Sequence, residues 1–265
     1  MTYSPNHADS VDYSTPAGRR AWITDTLFER GEIHIEEIAR ELHISTATAY
    51  RDAQKLEREG ILARSKGFLR AIAPSTAELP ASVRAKRQLE EKSALAKEAI
   101  GFVAPGDVII LDDSSTNAPL LPLLQRISSL TIITNSLDVA FRFRNSRSHN
   151  LILIGGHYQS WAGSFYGTVA NEMLANFRAD FCFMSDAAVW GDSTYNPNDY
   201  VISMKQTILK SSERKILMID HTKFSRAAWQ KTSSLSAFST IITTRTATSK
   251  DIENLRKYCD DVRVV

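Results

Sequence analysis

Seven short apolar runs, separated by helical stretches, leave this chain few folds to choose from. They are Val108-Ile109-Ile110-Leu111, Leu130-Thr131-Ile132-Ile133-Thr134, Leu151-Ile152-Leu153-Ile154, Phe181-Cys182-Phe183-Met184, Ile216-Leu217-Met218-Ile219, Ser239-Thr240-Ile241-Ile242-Thr243 and Val262-Arg263-Val264-Val265. Each is too short for a helix. A strand with one wet face alternates apolar and polar residues, whereas a continuous apolar run is covered on both faces. Helices are predicted between most of these runs, near 117–127, 137–145, 168–177, 202–212 and 249–258. A longer helix over 84–102, closed by Pro105-Gly106, precedes them. Alternating strands and helices need crossover connections. The expectation over 84–265 is therefore an α/β, Rossmann-like domain with a mainly parallel sheet.

The N-terminal part follows another pattern. A helix is predicted over 16–30, with Pro16 in its first turn, Ile23 and Leu27 inward and Gly31 as its stop. A short helix over 36–42 turns Ile38, Ala39 and Leu42 inward. The link His43-Ile44-Ser45 is about as short as a helix-turn-helix allows. In the next helix Ala49, Ala53 and Leu56 share one apolar face, Ser45 caps the first turn and Gly60 ends the last. Ser45, Thr46, Ala47, Thr48, Tyr50, Arg51, Gln54 and Lys55 are left at its start and on its outer side. Short hydroxyls, an aromatic ring and fork-shaped donors suit the base edges of a DNA groove. Residues 61–64 and 68–72 read as a hairpin around Ser65-Lys66-Gly67, a wing carrying Arg64, Lys66 and Arg70. The order of elements defines an N-terminal α+β winged helix-turn-helix over 16–72, with double-stranded DNA as its partner. The alternative is an ordinary three-helix core with solvated charges.

The net charge of +2 over 265 residues shows no basic excess. The footprint is local: between 44 and 70, Arg51, Lys55, Arg58, Arg64, Lys66 and Arg70 outweigh Asp52, Glu57 and Glu59. With 43% hydrophobic and 23% charged residues, the chain has the composition of a globular protein and the length of two domains. Residues 1–15 read as a disordered tail. A linker is placed at 73–83, where Pro74 and Pro80 stiffen the chain and bar a helix. Cys182 and Cys259 stand far apart in apolar surroundings, and the six histidines show no ligand spacing with them. Buried thiols in a reducing compartment are expected, with no metal and no cofactor. There is no signal-peptide core and no apolar run near the ~20 residues a membrane helix needs, so the expected location is cytoplasmic, without a membrane partner.

Ligands of such sheets bind beyond the carboxyl ends of the strands. The first run leads into Asp112-Asp113-Ser114-Ser115-Thr116-Asn117, where three hydroxyls precede a predicted helix whose N–H groups favour an anion. Thr134-Asn135-Ser136 and Ile154-Gly155-Gly156 end two further strands, the glycines permitting close backbone approach. Lys205 and Lys223 add positive charge. The candidate effector site is thus Asp112, Asp113, Ser114, Ser115, Thr116, Asn117, Asn135, Gly155, Gly156, Lys205 and Lys223, for a small anionic metabolite. Taken singly, the hydroxyl cluster is also a plain cap, the glycine pair a turn and each lysine a solvated one.

From about residue 17 to 244 the chain resembles the DeoR family of bacterial transcription regulators. The stretch from Ile44-Ser45 through Tyr50-Arg51-Asp52 and Leu56-Glu57 to Gly60 is similar to the family's Val-Ser-x-x-Thr-Ile-Arg-Arg-Asp-Leu-x-x-Leu-Glu-x-x-Gly signature. The later part resembles the family's sensor, itself similar to sugar-phosphate isomerases of the ribose-phosphate isomerase type. Leu111 to Thr116 matches its Leu-Asp-x-Gly-Thr-Thr loop, and Asp220-His221-Thr222-Lys223-Phe224 its Asp-x-x-Lys-Phe. Thr134-Asn135-Ser136, Gly155-Gly156 and Lys205 match its other signs. The resemblance implies a regulator of carbohydrate metabolism genes, most often a repressor, responsive to a phosphorylated sugar or a similar anion. A homo-oligomer, dimer or tetramer, is expected on paired DNA half-sites.

The chain also departs from the pattern. Ser114 stands for the loop glycine, Ser185-Asp186-Ala187-Ala188 for a glycine-rich stretch, and Ile202 for an acidic residue three before Lys205. Tyr50 replaces an arginine, and Lys66-Gly67-Phe68 replaces His-Gly-Gly in the wing. Two other functions stay open. One is a constitutive regulator whose degenerate sensor only dimerises. The other is an isomerase fused to a DNA-binding module, with Asp112, Asp113, Asp186 or Asp220 as its base. No Asp/Glu-with-Lys spacing singles out such a base, so the expectation is a protein that is not an enzyme.

Overall fold

The computed structural model describes residues 13–30, 32–58, 61–71 and 78–265. Residues 1–12 of the expected tail, Gly31 and Gly60 as helix stops, Ile72, and linker residues 73–77 lie outside the described residues. The chain divides into two compact units, Met1–Ala73 and Pro74–Val265.

The first unit runs α1 (Pro16–Arg30), β1 (Glu32–His34), α2 (Ile35–Glu41), α3 (Thr46–Arg58), β2 (Leu62–Ser65) and β3 (Phe68–Ala71). Ile23, Leu27, Ile38, Ala49, Ala53, Leu56, Leu62 and Leu69 form its core, so the apolar periodicity of the three helices points where expected. His43, at φ +52°, turns the chain between α2 and α3. The two strands of the hairpin are joined by Lys66 and Gly67, both at positive φ, a two-residue turn whose twist matches the strands. A Cβ on Gly67 would stand 2.7 Å from His34 Nε2, so this turn needs glycine for space as well as for conformation. The sheet order is β1-β3-β2. Strand β1 had no sequence signal, because three residues are too few to show a period.

Among the described residues of this unit, one carboxylate is buried. Asp52, 5% exposed, accepts from Arg19 Nε at 2.7 Å and from Arg20 at 3.3 Å, and so ties α3 to α1.

The second unit opens with α4 (Ala81–Lys86) and α5 (Leu89–Ala99), followed by β4 (Val108–Leu111), α6 (Leu121–Leu124), β5 (Thr131–Thr134), α7 (Leu137–Phe143) and β6 (Asn150–Leu153). Next come the short β7 (His157–Gln159) and β8 (Ser164–Tyr166), then α8 (Thr168–Ala175), β9 (Ala179–Met184), β10 (Ala188–Trp190), β11 (Ser193–Asn196) and α9 (Asp199–Lys210). The chain ends with β12 (Ser212–Ile219), α10 (Thr222–Ser225), β13 (Gln230–Ser234), β14 (Thr240–Thr243), α11 (Ser249–Arg256) and β15 (Val262–Val264). The seven apolar runs make one parallel sheet, in the order β15-β14-β12-β9-β4-β5-β6. Its two faces are both covered. Ile109 and Leu111 pack with Leu95, Leu124 and Phe143, while Ile110 between them packs with Ala170, Leu174, Met204 and Ile208.

Three expectations need correction. The helix placed over 84–102 is broken at Gln88, which has φ +53°, so α4 is separate from α5 and begins inside the expected linker. The helix placed at 117–127 is a 3-10 turn over Ser115–Leu120 followed by four-residue α6, because Pro119 lies inside it. Two small antiparallel sheets, β7-β8 and β10-β11-β13, were not foreseen. Their strands are short and partly polar, and only pairing makes them strands.

Cys182 and Cys259 are buried free thiols. Among the described residues no group of His, Cys, Asp and Glu is placed to hold a metal, and no helix is long and apolar enough to cross a membrane.

Candidate functional site

In the first unit the outer side of α3 presents Ser45, Thr46, Ala47, Tyr50, Arg51, Gln54 and Lys55 to solvent, with Thr48 half-buried. Ser45 Oγ accepts the Thr48 N–H at 3.2 Å, the helix cap expected of it. Arg51 donates to Thr48 Oγ1 at 3.3 Å and keeps its guanidinium on the exposed face. Lys66 is exposed at the hairpin tip. Arg64 is different. Its Nε lies 2.7 Å and its Nη2 2.6 Å from Glu57 Oε2, and its own N–H donates to Glu57 Oε1. The Arg64 hydrogen bond also holds the Glu57 carboxyl below its usual range. Arg64 therefore ties the wing to α3, and only part of its charge is offered outward.

In the second unit the strand order reverses at β4. The chain proceeds from β4 to β5 and β6 on one side, then returns to β9 on the other. A crevice opens at the carboxyl ends of strands at such a point. Its walls are Glu78, Arg84, Asp113, Ser114, Ser115, Thr116, Ser185, Asp186, Lys205 and Lys223.

Asp112 lies beneath this crevice and is 1% exposed. Its Oδ1 accepts from the Ser114 N–H at 3.0 Å and Asn117 Nδ2 at 2.8 Å. Its Oδ2 accepts from Ser114 Oγ at 2.7 Å and Lys205 Nζ at 2.5 Å. Lys205 Nζ donates further to Ser185 O at 2.7 Å. Burial opposes the Lys205 charge, but Asp112, Asp186 and Asp113 more than offset that and raise its pKa above the ordinary lysine value. The Ser114 hydroxyl also accepts the Ser185 N–H at 3.2 Å, linking the ends of β4 and β9. Ser114 has φ −64°, so nothing in its backbone asks for glycine.

Two further buried lysines near the Ser115 turn are less well matched. Lys92 on α5, 3% exposed, donates to Ser115 Oγ at 3.0 Å and to Arg84 O at 2.5 Å. Burial, then the neighbouring Lys223 charge, push its pKa down to about 7. Burial and Arg226 push Lys223 down to about 8. Among the described residues neither ammonium has a carboxylate within ion-pair distance. Lys92, Arg84 and Glu78 were missed by the sequence reading. A buried lysine on an apolar helix face looks like any solvated one until the helix is packed.

Several expected site residues serve the protein itself. Asp112 is saturated, and Asn117 is buried beneath the loop, where its Nδ2 donates to Phe183 O at 2.9 Å while its Oδ1 has no partner among the described residues. Asn135 Nδ2 donates to Phe165 O at 3.0 Å, fastening the β7-β8 hairpin to the end of β5. Gly156 has φ +152°, and a Cβ there would meet Tyr166 O at 2.7 Å and Ala170 Cβ at 2.9 Å. Its closeness is to the protein. Gly155, Gly156, Asn135, Asn117 and Asp112 do not line the crevice, whereas Asp113, Ser114, Ser115, Thr116, Lys205 and Lys223 do.

A winged helix-turn-helix joined to an α/β domain with a polar crevice lined by both acidic and basic groups is the build of a DNA-binding regulator with a sensor. The chain belongs to the DeoR family. The profile of the DeoR C terminal sensor domain matches residues 87–245, and that of the DeoR-like helix-turn-helix domain matches residues 19–75. The chain is 34% identical to the lactose phosphotransferase system repressor of Lactococcus lactis subsp. lactis, over 89% of this chain and 94% of that one. It is 27% identical to the transcriptional repressor AccR of Agrobacterium fabrum, over 92% and 97%. It is 26% identical to the glycerol-3-phosphate regulon repressor of Escherichia coli, over 85% and 89%.

Proposed function

We propose that this chain is a repressor of carbohydrate metabolism genes whose operator affinity changes when a phosphorylated sugar, or a closely similar anion, binds the crevice. The observation that carries the reading is the pair of buried lysines, Lys223 in the crevice wall and Lys92 behind Ser115, neither in direct ion-pair contact with a carboxylate among the described residues; Asp220 acts on both from farther off and leaves both below the ordinary lysine value. Buried charges persist where something completes them, and a phosphate offers several strong acceptors. The 3-10 turn after Ser114 is too short to contribute much dipole, so the lysines supply the attraction. Relatives named for the lactose phosphotransferase system and for glycerol 3-phosphate support a ligand of this class. Turnover is no part of the reading, since the relatives the chain matches are named repressors. The oxygens of Asp112 are occupied and Asp220 Oδ1 accepts from the N–H and hydroxyl of Thr222, while Asp186 keeps one buried oxygen without a hydrogen-bond partner among the described residues. The place of action is proposed to be the cytoplasm, where operators and phosphorylated sugars are found together.

The two lysines make binding depend on pH. Both have folded-state values below the ordinary 10.5, so the unliganded chain binds fewer protons folded than unfolded between about 7 and 10.5, and its stability rises with pH through that window. A bound anion favours the charged forms, so binding draws in protons. Affinity for a hexose 6-phosphate is expected to fall as pH is raised from about 6.5 to about 9, with proton uptake seen by calorimetry in buffers of different ionisation enthalpy. Affinity indifferent to pH would remove the lysines from the site.

The DNA-binding face is tested separately. Arg51→Ala is expected to weaken operator binding by about 1–3 kcal/mol without changing the melting temperature. Lys66→Ala is expected to weaken binding to all sequences alike and to lower the salt slope by about 1. Unchanged footprints for Arg51→Ala would place the reading face elsewhere on α3. We further propose a homo-oligomer that sets two winged units on paired half-sites. Sedimentation of the full chain as a monomer at binding concentrations would count against it.

A further inference from the structure

The crevice already holds a piece of its own chain. Glu78 and Arg84 form part of its wall, and α4 carries Arg84 into it. Arg84 is 8% exposed. Its Nη2 reaches Asp113 Oδ2 at 3.5 Å, its Nε donates to Leu79 O at 2.9 Å, and its guanidinium carbon stands 5.6 Å from the centre of the Trp161 ring. The backbone of the segment is held as well. The Ala81 N–H donates to Trp161 O at 2.7 Å, and Lys92 Nζ donates to Arg84 O at 2.5 Å. Leu79 and Val83 are buried on its apolar side. What remains free in the crevice is about 10 Å³, space for one water molecule. A sugar phosphate does not fit beside α4 in this arrangement.

We infer that α4 is an internal plug of the effector crevice, and that an anionic sugar enters by displacing Arg84 from Asp113 and taking Lys92 from the Arg84 carbonyl. This rests on the effector reading above. The exchange has a chemical direction. Lys92 now bonds a neutral carbonyl, and a phosphate oxygen is the stronger acceptor for an ammonium group. When Lys92 turns to the anion, α4 loses a main-chain tie and Arg84 loses its seat. The position of α4 in the chain gives the release a consequence. The first unit ends at Ala73, and the chain enters the second through the residues that lead into α4. Freeing α4 would add its residues to the stretch of sequence between the two units. It also sets the apparent affinity, because a ligand that must open a plug binds with its intrinsic affinity multiplied by the open fraction.

The test uses the full chain with inorganic phosphate, pentose 5-phosphates and hexose 6-phosphates. Melting temperature and amide hydrogen exchange over Ala81–Lys86 are followed on the same samples. A probe that raises the melting temperature is expected to speed exchange in α4 tenfold or more. Leu79→Ser, which loosens the apolar seat without touching the polar wall, is expected to lower the half-saturating concentration about tenfold. Should that variant fail to fold, Val83→Ala makes the same comparison. A melting increase with α4 exchange slowed or unchanged, or a Leu79→Ser chain that binds more weakly, overturns the plug and leaves the effector reading intact. No probe acting on the wild type or on the loosened variant, in melting or in exchange, overturns both.

Discussion

Lys205→Met is expected to destabilise the second unit by about 3–5 kcal/mol, read as the loss of its calorimetric transition temperature in the full chain. Lys205 and Asp112 are both buried, and their groups meet at 2.5 Å. Removing the ammonium leaves a carboxylate with hydrogen bonds from Ser114 and Asn117 but no counter-charge. Asp112 then answers by taking a proton, so its folded pKa in the variant is raised and the loss is largest above that value. As pH falls and the carboxyl is neutralised in both states, the difference from wild type shrinks. Pairing the change with Asp112→Asn is expected to recover most of the stability, because no bare charge remains. A Lys205→Met chain as stable as wild type at neutral pH would mean that the pair is open to water.

Asp52→Ala is expected to unfold the first unit at far lower denaturant than wild type, a loss of about 3 kcal/mol or more. The variant strands Arg19, whose side chain is 10% exposed, and frees Arg20 beside it. Operator binding is lost with the fold, so melting of the winged unit separates this variant from Arg51→Ala, which is expected to lose binding alone. Restoring partial binding with a high concentration of operator DNA is expected for Asp52→Ala, since a ligand that binds only the folded unit draws it back. No melting change in the winged unit would refute the structural role of Asp52.

Asp52 and Arg51 mark the boundary between what the sequence shows and what it hides. Both are charged residues in the middle of one helix. Their fates differ because the helical period places Arg51 outward and Asp52 against α1, where only the packed helix supplies Arg19 and Arg20. The same holds in the second unit. Continuous apolar runs such as Val108–Leu111 admit no other place than a sheet covered on both faces, so fold class and all seven parallel strands were legible from residue type and length alone. The Ser45 cap, the turn at Lys66-Gly67 and the inward face of α3 were equally legible, because each rests on contacts a few residues apart. The strand ends were legible as the place of a crevice, and Asp113 to Thr116, Lys205 and Lys223 do line it.

The division of labour within the site was decided by tertiary structure. Lys205 is 93 residues from Asp112 in the chain, and nothing in either neighbourhood says that each completes the other. Asn135 and Gly156 carry the residue types of a ligand site, yet they serve the packing of the β7-β8 hairpin, whose strands exist only by pairing. Arg84 joined the crevice wall and Lys92 met Ser115 when α4 and α5 were packed, and the break between those helices at Gln88 left no mark in the apolar pattern. A short-range period determines which way a residue faces on its own helix or strand. Which group it then meets depends on long-range packing, and that meeting decides whether a buried charge is held as a tie, as Lys205 is by Asp112, or pushed toward its neutral form, as Lys92 is.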